Sequence, residues 1–215
     1  MITHNFVTTT QSSVEKFLDE LAGGNPTPGG GSAAAVMGAM GAALVSMVCN
    51  VTIGKKGCEG SAAEMKGVLA DSERLRRRLT SMVAEDIAAF DSIMAAYKLP
   101  KATEEEKSSR AAAIQEGLQR ATETPLECAR ACAEVIALSR RASERGYVNV
   151  ISDGGVGALA GYTGLRSAAL NVYINAPSLK DRAYADRATA EIERLMQGGG
   201  EETEAVYELV RGKLG

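Results

Sequence analysis

The residue of this sequence best suited to move a proton is Asp86. It lies between Val83 and Phe90 in a stretch whose apolar residues recur every three or four positions, which places its carboxyl group on the apolar stripe of a predicted helix. Burial disfavours the charged form of a carboxyl group and raises its pKa, which suits a proton acceptor near neutral pH. Asp91 lies about 140° further around the helix and forms no same-face pair with it. The alternative is a structural acid, satisfied by an arginine or by a helix N-terminus.

A glycine-rich loop opens the predicted helix of the long uncharged stretch between Leu21 and Gly54. The candidate binding residues of this loop are Pro28, Gly29, Gly30, Gly31 and Ser32. Glycines let a backbone approach a ligand closely, and the free amide groups of a first helical turn carry a positive partial charge. The loop lacks the lysine of a nucleotide-binding P-loop. The alternative is an ordinary turn in which Ser32 caps the helix.

Three pairs of polar residues are further candidates for binding. They are Lys55 and Lys56, Asn149 and Asp153, and Asn171 and Asn175. The members of each asparagine-containing pair lie one helical turn apart and can face one pocket, because residues four apart share a helix face. Each pair also has a structural alternative. The lysines can complement a helix C-terminus, the second pair can cap a helix, and buried asparagines often bind backbone.

Composition narrows the chemistry that the chain can perform. Its only histidine is His4, so we expect no histidine-based triad and no histidine-rich metal site. The four cysteines lack the CxxC pairs of structural zinc sites, and we expect free thiols and no metal. There are 24 basic and 27 acidic residues, and a net charge of -3 argues against nucleic acid or an anionic membrane as the main partner. The start of the chain carries no secretory leader pattern, which favours a cytoplasmic protein.

Helices must position these candidates. The stretch 32–53 is long enough to cross a bilayer, but it consists mostly of Ala, Gly, Met and Val. Its small residues Gly38, Ala42 and Ser46 recur every four positions, a spacing that lets two helices pack closely. We therefore predict a helix buried in a soluble protein or oligomer, and no membrane span. A second close-packing seam is predicted in the stretch 152–175, where one face carries Gly154, Gly157, Gly161, Gly164 and Ala168.

Proline positions and apolar periodicity predict the other elements. Helices are expected over 61–97, 103–145, 152–175 and 180–196, with a short terminal helix after the glycines 198–200. Thr103 and Glu106 form a capping box, and Pro125 kinks or interrupts its helix. No stretch alternates as a strand does. We predict an all-α fold, an antiparallel helical bundle, with residues 1–215 as a single domain.

Several motifs between residues 12 and 200, in the order of the chain, resemble the cyclodeaminase/cyclohydrolase family of folate enzymes. The resemblance is carried by Pro28–Ala35, Gly41–Val48, Gly54–Lys56, Asp86–Phe90, Leu99–Lys101, Glu104–Lys107, Pro125–Leu126, Asn149–Asp153 and Asn171–Asn175. Two features depart from it. Gly57 and Cys58 stand where another basic residue and an aromatic residue are expected, and Arg166 has no counterpart in the shared pattern.

The resemblance implies an all-helical homodimer that binds folate at or near the subunit interface. It implies no cofactor beyond the tetrahydrofolate substrate. Asp86 matches the acid that the cyclodeaminase relatives use in catalysis. The residues that match positions around the folate are the loop Pro28 to Ser32, Lys55, Lys56, Asn149, Asp153, Asn171 and Asn175.

The implied activity is hydrolysis of 5,10-methenyltetrahydrofolate to 10-formyltetrahydrofolate. The substrate carries a cationic amidinium carbon, so water can attack it without a metal. In this interpretation Asp86 is the general base, and Asp153 is a second catalytic candidate. Lys55 or Lys56 pairs with the glutamate tail, and the Gly29 to Gly31 amides bind an oxygen. The alternatives are the cyclisation of formiminotetrahydrofolate with loss of ammonia, and a helical scaffold without catalysis.

Overall fold

The computed structural model describes residues 13–215, and this part of the chain contains six α-helices. They are α1 (Val14–Leu21), α2 (Gly30–Thr52), α3 (Ala62–Tyr97), α4 (Glu104–Arg145), α5 (Ile151–Asn175) and α6 (Arg182–Leu214). Short 3₁₀ turns at Glu59–Ser61, Val148–Val150 and Ala176–Ser178 complete the connections. Residues 13–215 contain no strand, which confirms the all-α prediction. His4 lies outside the described residues.

The long helices α2 to α6 run up and down as an antiparallel bundle. The start of α2 contacts the C-terminal half of α3, where Ser32 meets Asp86. The end of α2 contacts the start of α3, where the Sγ of Cys49 lies 3.9 Å from the Sδ of Met65. Helices α2 and α3 therefore pack in opposite directions, and the contacts of α3 with α4, of α4 with α5 and of α5 with α6 follow the same pattern, as predicted.

Small residues let α2 and α5 approach closely. A Cβ placed on Gly41 would lie 2.8 Å from the carbonyl oxygen of Gly157. A Cβ placed on Gly164 would lie 2.9 Å from the carbonyl oxygen of Ala34. Larger side chains would push the two helices apart, since a close-packed interior leaves no free volume. The predicted small-residue seams are thus confirmed as a contact between helices of one chain.

Helix α2 occupies the centre of the bundle. It is the one helix within residues 13–215 that is long and apolar enough to cross a membrane by length and composition. Here it packs against α3, α4 and α5, and Ala34, Ala42 and Val45 are fully buried. Its apolar composition therefore serves a helix that is covered by protein on most sides.

Helix α4 begins at the predicted capping box. The hydroxyl of Thr103 accepts a hydrogen bond from the amide of Glu106 at 3.1 Å, and the carboxylate of Glu106 accepts one from the amide of Thr103 at 3.1 Å. The helix then continues through Pro125 to Arg145 without a break. The alternative of a break at Pro125 is therefore wrong, because Pro125 lies inside a continuous helix.

The C-terminal prediction of two separate helices is also wrong. Helix α6 runs without interruption from Arg182 to Leu214, through Gly198–Gly200. A Cβ on Gly200 would lie 2.8 Å from the hydroxyl of Tyr162 on α5, and Gly199 packs beside Ile136 and Leu165. Packing against α4 and α5 therefore outweighs the low helix propensity of the glycines.

Candidate active site

The carboxylate of Asp86 lies against the first turn of α2. Asp86 is on α3, and its Oδ2 accepts a hydrogen bond of 2.8 Å from the hydroxyl of Ser32. The backbone amide of Ser32 also donates to this carboxylate. A negative group is favoured at a helix N-terminus, where amide groups lack intrahelical partners. The anion bound by this helix N-terminus is thus the protein's own side chain.

Gly31 provides the space for this carboxylate. A Cβ on Gly31 would lie 2.1 Å from Oδ1 and 2.6 Å from Cγ of Asp86. Any side chain at this position would therefore displace the carboxyl group. The glycine-rich loop does admit a close approach, as predicted, but the group that approaches is Asp86.

A small recess lies beside Asp86 between α2, α3, α4 and α5. Its walls are formed by Gly31, Ala35, Met82, Thr124, Pro125, Cys128 and Ala168. The recess has room for about one water molecule. Asp86 is the only charged side chain among the described residues that line it. Because no cationic side chain on these walls neutralises it, the carboxylate favours the binding of a positively charged ligand. The space beside it is large enough for a small nucleophile such as water.

Burial raises the pKa of the Asp86 carboxyl group. Removal from water disfavours the ionised form and is the largest effect, while the hydrogen bonds from the Ser32 hydroxyl and amide act in the opposite direction. The result is a carboxyl group whose pKa is higher than that of an ordinary aspartate. The contact foreseen in the structural alternative, an acid at a helix N-terminus, is therefore present, and the raised pKa is the property that the proton-acceptor hypothesis requires.

The other residues of the glycine-rich loop lie at and just before the start of α2. Gly29 is the N-cap of α2, and Ser32 lies inside the first turn, so the alternative of Ser32 as the N-cap is wrong. Pro28 is buried beside the loop, and Gly30 is exposed.

The two asparagines near the end of α5 lie at this same end of the bundle. A Cβ on Gly30 would lie 3.9 Å from Nδ2 of Asn171, so Asn171 borders the loop. Its Nδ2 donates to the carbonyl of Ser167 at 2.9 Å. Asn175 instead donates from Nδ2 to the carbonyl of Ala121 on α4, at 2.7 Å. The structure thus places Asn171 beside the loop and both asparagines at the Asp86 end of the bundle, and both side chains donate to backbone carbonyls of the protein.

The remaining candidates form a second cluster at the opposite end of α2. The Nζ of Lys55 lies 4.5 Å from the centre of the Tyr147 ring, and Nδ2 of Asn149 donates to the Tyr147 hydroxyl at 2.8 Å. Lys56 is exposed beside Lys55, and Asp153 lies in the first turn of α5. The 23 residues of α2 separate this cluster from Asp86 by about 35 Å, at about 1.5 Å per residue.

Sequence reasoning missed several residues of both sites. Tyr147, which joins Lys55 to Asn149, carries no periodicity or motif that marks it. Thr124 and Cys128 line the recess only because α4 passes Asp86 at that level, which a single sequence does not reveal. Arg166, unassigned in the sequence, lies over the Tyr162 ring at 5.9 Å. Within residues 13–215, no group of three or more His, Cys, Asp or Glu side chains is arranged to hold a metal ion.

Comparison with known protein families shows which family the chain belongs to. The sequence model of the family described as Formiminotransferase-cyclodeaminase matches residues 13–194. The chain belongs to the formiminotransferase-cyclodeaminase family. In this family member the matched segment includes the glycine-rich loop, Asp86 and the whole of α5.

Three known proteins illustrate the similarity of this formiminotransferase-cyclodeaminase family member. Methenyltetrahydrofolate cyclohydrolase of Methylorubrum extorquens is 57% identical over 202 residues, covering 94% of this chain and 97% of that protein. Formimidoyltransferase-cyclodeaminase of Rattus norvegicus is 34% identical, and the match covers 94% of this chain but 37% of that protein. The crystal structure of formiminotetrahydrofolate cyclodeaminase from Thermotoga maritima has a TM-score of 0.85 and 28% identity, covering 95% of this chain and 98% of that one.

Proposed function

We propose that this protein is a methenyltetrahydrofolate cyclohydrolase, which hydrolyses 5,10-methenyltetrahydrofolate to 10-formyltetrahydrofolate. The observation that carries the proposal is the 57% identity, over nearly the full length of both chains, to the Methylorubrum protein of that name. The chemistry of the recess agrees with it. The substrate is a cation, and Asp86 is an anion in a recess that admits about one water molecule.

In the first step, water attacks the amidinium carbon between N5 and N10. The oxygen of water forms a bond to this carbon while the carboxylate of Asp86 accepts a proton from the water. The product is a neutral hydroxylated intermediate, and Asp86 is now protonated. General-base assistance of this kind contributes about 10²- to 10⁴-fold to a rate, and it is most effective when the pKa of the base lies near the working pH.

In the second step, the bond between the carbon and N5 breaks. Protonated Asp86 returns its proton to N5, and the hydroxyl proton passes to solvent as the carbon becomes a formyl group on N10. Asp86 ends as a carboxylate, and the net products are 10-formyltetrahydrofolate and one proton. The reaction consumes only water and the folate. The hydrogen bonds from Ser32 hold the carboxyl group in one orientation through both steps.

The alternative activity is the cyclodeaminase reaction, in which formiminotetrahydrofolate closes to methenyltetrahydrofolate and releases ammonia. The similarity to the Thermotoga cyclodeaminase favours it. Purified protein should therefore be mixed with each folate and followed by near-ultraviolet absorbance. Loss of methenyl absorbance faster than in buffer supports the cyclohydrolase. Its appearance from the formimino compound with ammonia release supports the deaminase, and no change in either supports a scaffold.

A homodimer would unite the two polar clusters of the site. One face of helix α5 carries a stripe with exposed apolar side chains at both ends: Val156 and Leu159 three residues apart near its start, and Leu170 and Ile174 four residues apart near its end. Thr163, Arg166 and Ser167 lie between the two pairs. Leu170 is 69% exposed and Ile174 is 74% exposed. Exposed apolar side chains grouped in such a stripe are typical of a contact with another protein, and a second copy of the chain is self-complementary about a twofold axis.

The relative direction of the two α5 helices determines which ends of the two protomers would meet in such a dimer. A twofold axis through the middle of the stripe pairs α5 with α5 of a second copy in antiparallel orientation. The Asp153 end of one protomer then lies beside the Asn171 end of the other, next to Gly30 and Asp86. Lys55 and Lys56 would bind the glutamate tail of a folate held by Asp86 of the second copy.

Mixed dimers test this arrangement. Asp86→Asn and Asp153→Asn homodimers should each be impaired, because every site lacks one carboxylate. When the two variants are co-expressed, half of the dimers are mixed and each has one of its two sites intact. Activity should therefore recover to about a quarter of the wild-type value. If both residues of a site belong to one chain, no mixed dimer contains an intact site and no activity returns.

We propose that the activity is cytoplasmic. All four cysteines lie within the described residues and are free thiols, including Cys128 beside Asp86. Free thiols persist in a reducing compartment.

A further inference from the structure

Pro125 lies in the middle of α4, in a helix of 42 residues. A proline has no amide hydrogen, so it cannot donate to the carbonyl four positions earlier. In α4 that carbonyl belongs to Ala121. The segment 121–125 therefore lacks the bond that would fix this turn of the helix from within.

Asn175 supplies the missing donor from another helix. It is the last residue of α5, and its Nδ2 donates to the carbonyl oxygen of Ala121 at 2.7 Å. Asn175 is partly buried, so this bond is shielded from competing water. The asparagine thus ties the proline-containing turn of α4 to the end of α5.

The same turn of α4 is a wall of the recess. Thr124, Pro125 and Cys128 face Asp86 across a space that admits about one water molecule. An outward movement of this wall would widen the recess and hydrate the carboxyl group. The position of the wall therefore affects both the placement of the water and the environment of Asp86.

We propose that Asn175 is a positioning residue, which holds the Ala121–Pro125 turn against the recess and so keeps Asp86 and its single water molecule shielded from bulk solvent. The inference rests on the proposed function for its catalytic consequence. It gives Asn175 a role through α4, in place of the direct contact with folate that the family resemblance implies.

A double-mutant cycle tests this role. Asn175→Ala removes the donor, whereas Pro125→Ala restores an amide at position 125 that can bond to the Ala121 carbonyl. Asn175→Ala alone should lower kcat by about ten- to a hundredfold with little change in KM. In the Pro125→Ala background the same substitution should have little effect. Equal losses in both backgrounds, or a loss expressed in KM, would overturn the proposal. Asn175→Leu, of similar volume, replaces the alanine variant if that one does not fold.

Two further measurements show whether loss of the Asn175 side chain opens the recess to solvent. Cys128 is 3% exposed and should react with a thiol reagent several times faster in Asn175→Ala than in wild type. The acid limb of the kcat/KM profile should move to lower pH, because a hydrated Asp86 titrates nearer the ordinary range. Cys128 is the other titratable group on the recess walls, and the α2 and α5 residues that line it are uncharged. Unchanged Cys128 labelling and an unchanged pH profile would refute the role of Asn175.

Gln115→Ala is the matched control. Gln115 also joins α4 to the chain beyond α5, since its Nε2 donates to the carbonyl of Ser178 and its Oε1 accepts from the amide of Lys180. It does not line the recess, so its loss should leave Cys128 labelling and the pH profile unchanged. Labelling requires no substrate. A wild-type protein that fails to hydrolyse methenyltetrahydrofolate therefore refutes the proposed function, while labelling still tests the role of Asn175.

Discussion

Asp86→Asn is expected to lower kcat for methenyltetrahydrofolate hydrolysis by about 10²- to 10⁴-fold, with the protein still folded. Asparagine has nearly the same shape and can still accept the hydrogen bond from Ser32, so the recess is retained. It cannot accept a proton from water. The check is a steady-state assay corrected for spontaneous hydrolysis, with the melting temperature measured on the same samples.

Stability separates a catalytic Asp86 from a merely structural one. The pKa of Asp86 is raised in the folded protein, so the folded state binds its proton more tightly than the unfolded chain does. The free energy of unfolding therefore falls as pH rises from the ordinary aspartate range through the raised pKa, and this contribution is constant above it. At neutral pH the Asp86→Asn variant avoids this cost and should be at least as stable as wild type.

Asp91→Asn is the control for this substitution. Asp91 lies on the same helix and is exposed, so its change should leave both activity and stability near the wild-type values. Near-normal turnover of a folded Asp86→Asn protein would contradict the catalytic assignment. A large loss of stability would indicate that Asp86 serves mainly as the hydrogen-bond acceptor for the first turn of α2.

Gly31→Ala should produce the second large effect. The new Cβ would lie 2.1 Å from Oδ1 of Asp86, so the carboxylate has to leave its place beside Ser32. A displacement of about 1 Å in a reacting group costs about a hundredfold in rate. We expect a loss of this order in kcat/KM, and a loss of stability of about 1–3 kcal/mol from overpacking. Kinetics and thermal unfolding of one preparation measure both.

Gly67→Ala is the corresponding control in α3. A Cβ at Gly67 would meet no heavy atom within 4 Å, so the substitution removes a flexible residue without a clash. It should leave the rate unchanged and stabilise the protein slightly, by up to about 1 kcal/mol. Wild-type kinetics in Gly31→Ala would show that the carboxylate does not need its observed position.

The sequence predicts those parts of the fold that depend on patterns among residues close together in the chain. The capping box of Thr103 and the small-residue faces of α2 and α5 are such patterns, and the structure confirms them. The low helix propensity of the glycines 198–200 predicts two helices where the structure has the single helix α6. The helix is continuous because Gly199 and Gly200 pack against other helices. Helix propensity describes single residues and takes no account of such packing.

The site was predictable in the same uneven way. An aspartate on an apolar stripe marks Asp86 without any knowledge of the fold. Its partner Ser32 is 54 residues away, and the bond between Asn175 and Ala121 also spans 54 residues, so no local spacing indicates either contact. The glycine-rich loop was interpreted as a cradle for a ligand. In the structure its closest approach accommodates the catalytic candidate itself.

The pH dependence of kcat/KM tests most directly the central claim, that ionised Asp86 is the general base. The rate should rise with pH along an acid limb displaced upward from the ordinary aspartate pKa, because the base works only when deprotonated. In Ser32→Ala the limb should move to still higher pH, since the Ser32 hydroxyl favours the ionised form. The limb should disappear in Asp86→Asn. An acid limb that stays at one pH in all three proteins would contradict the account.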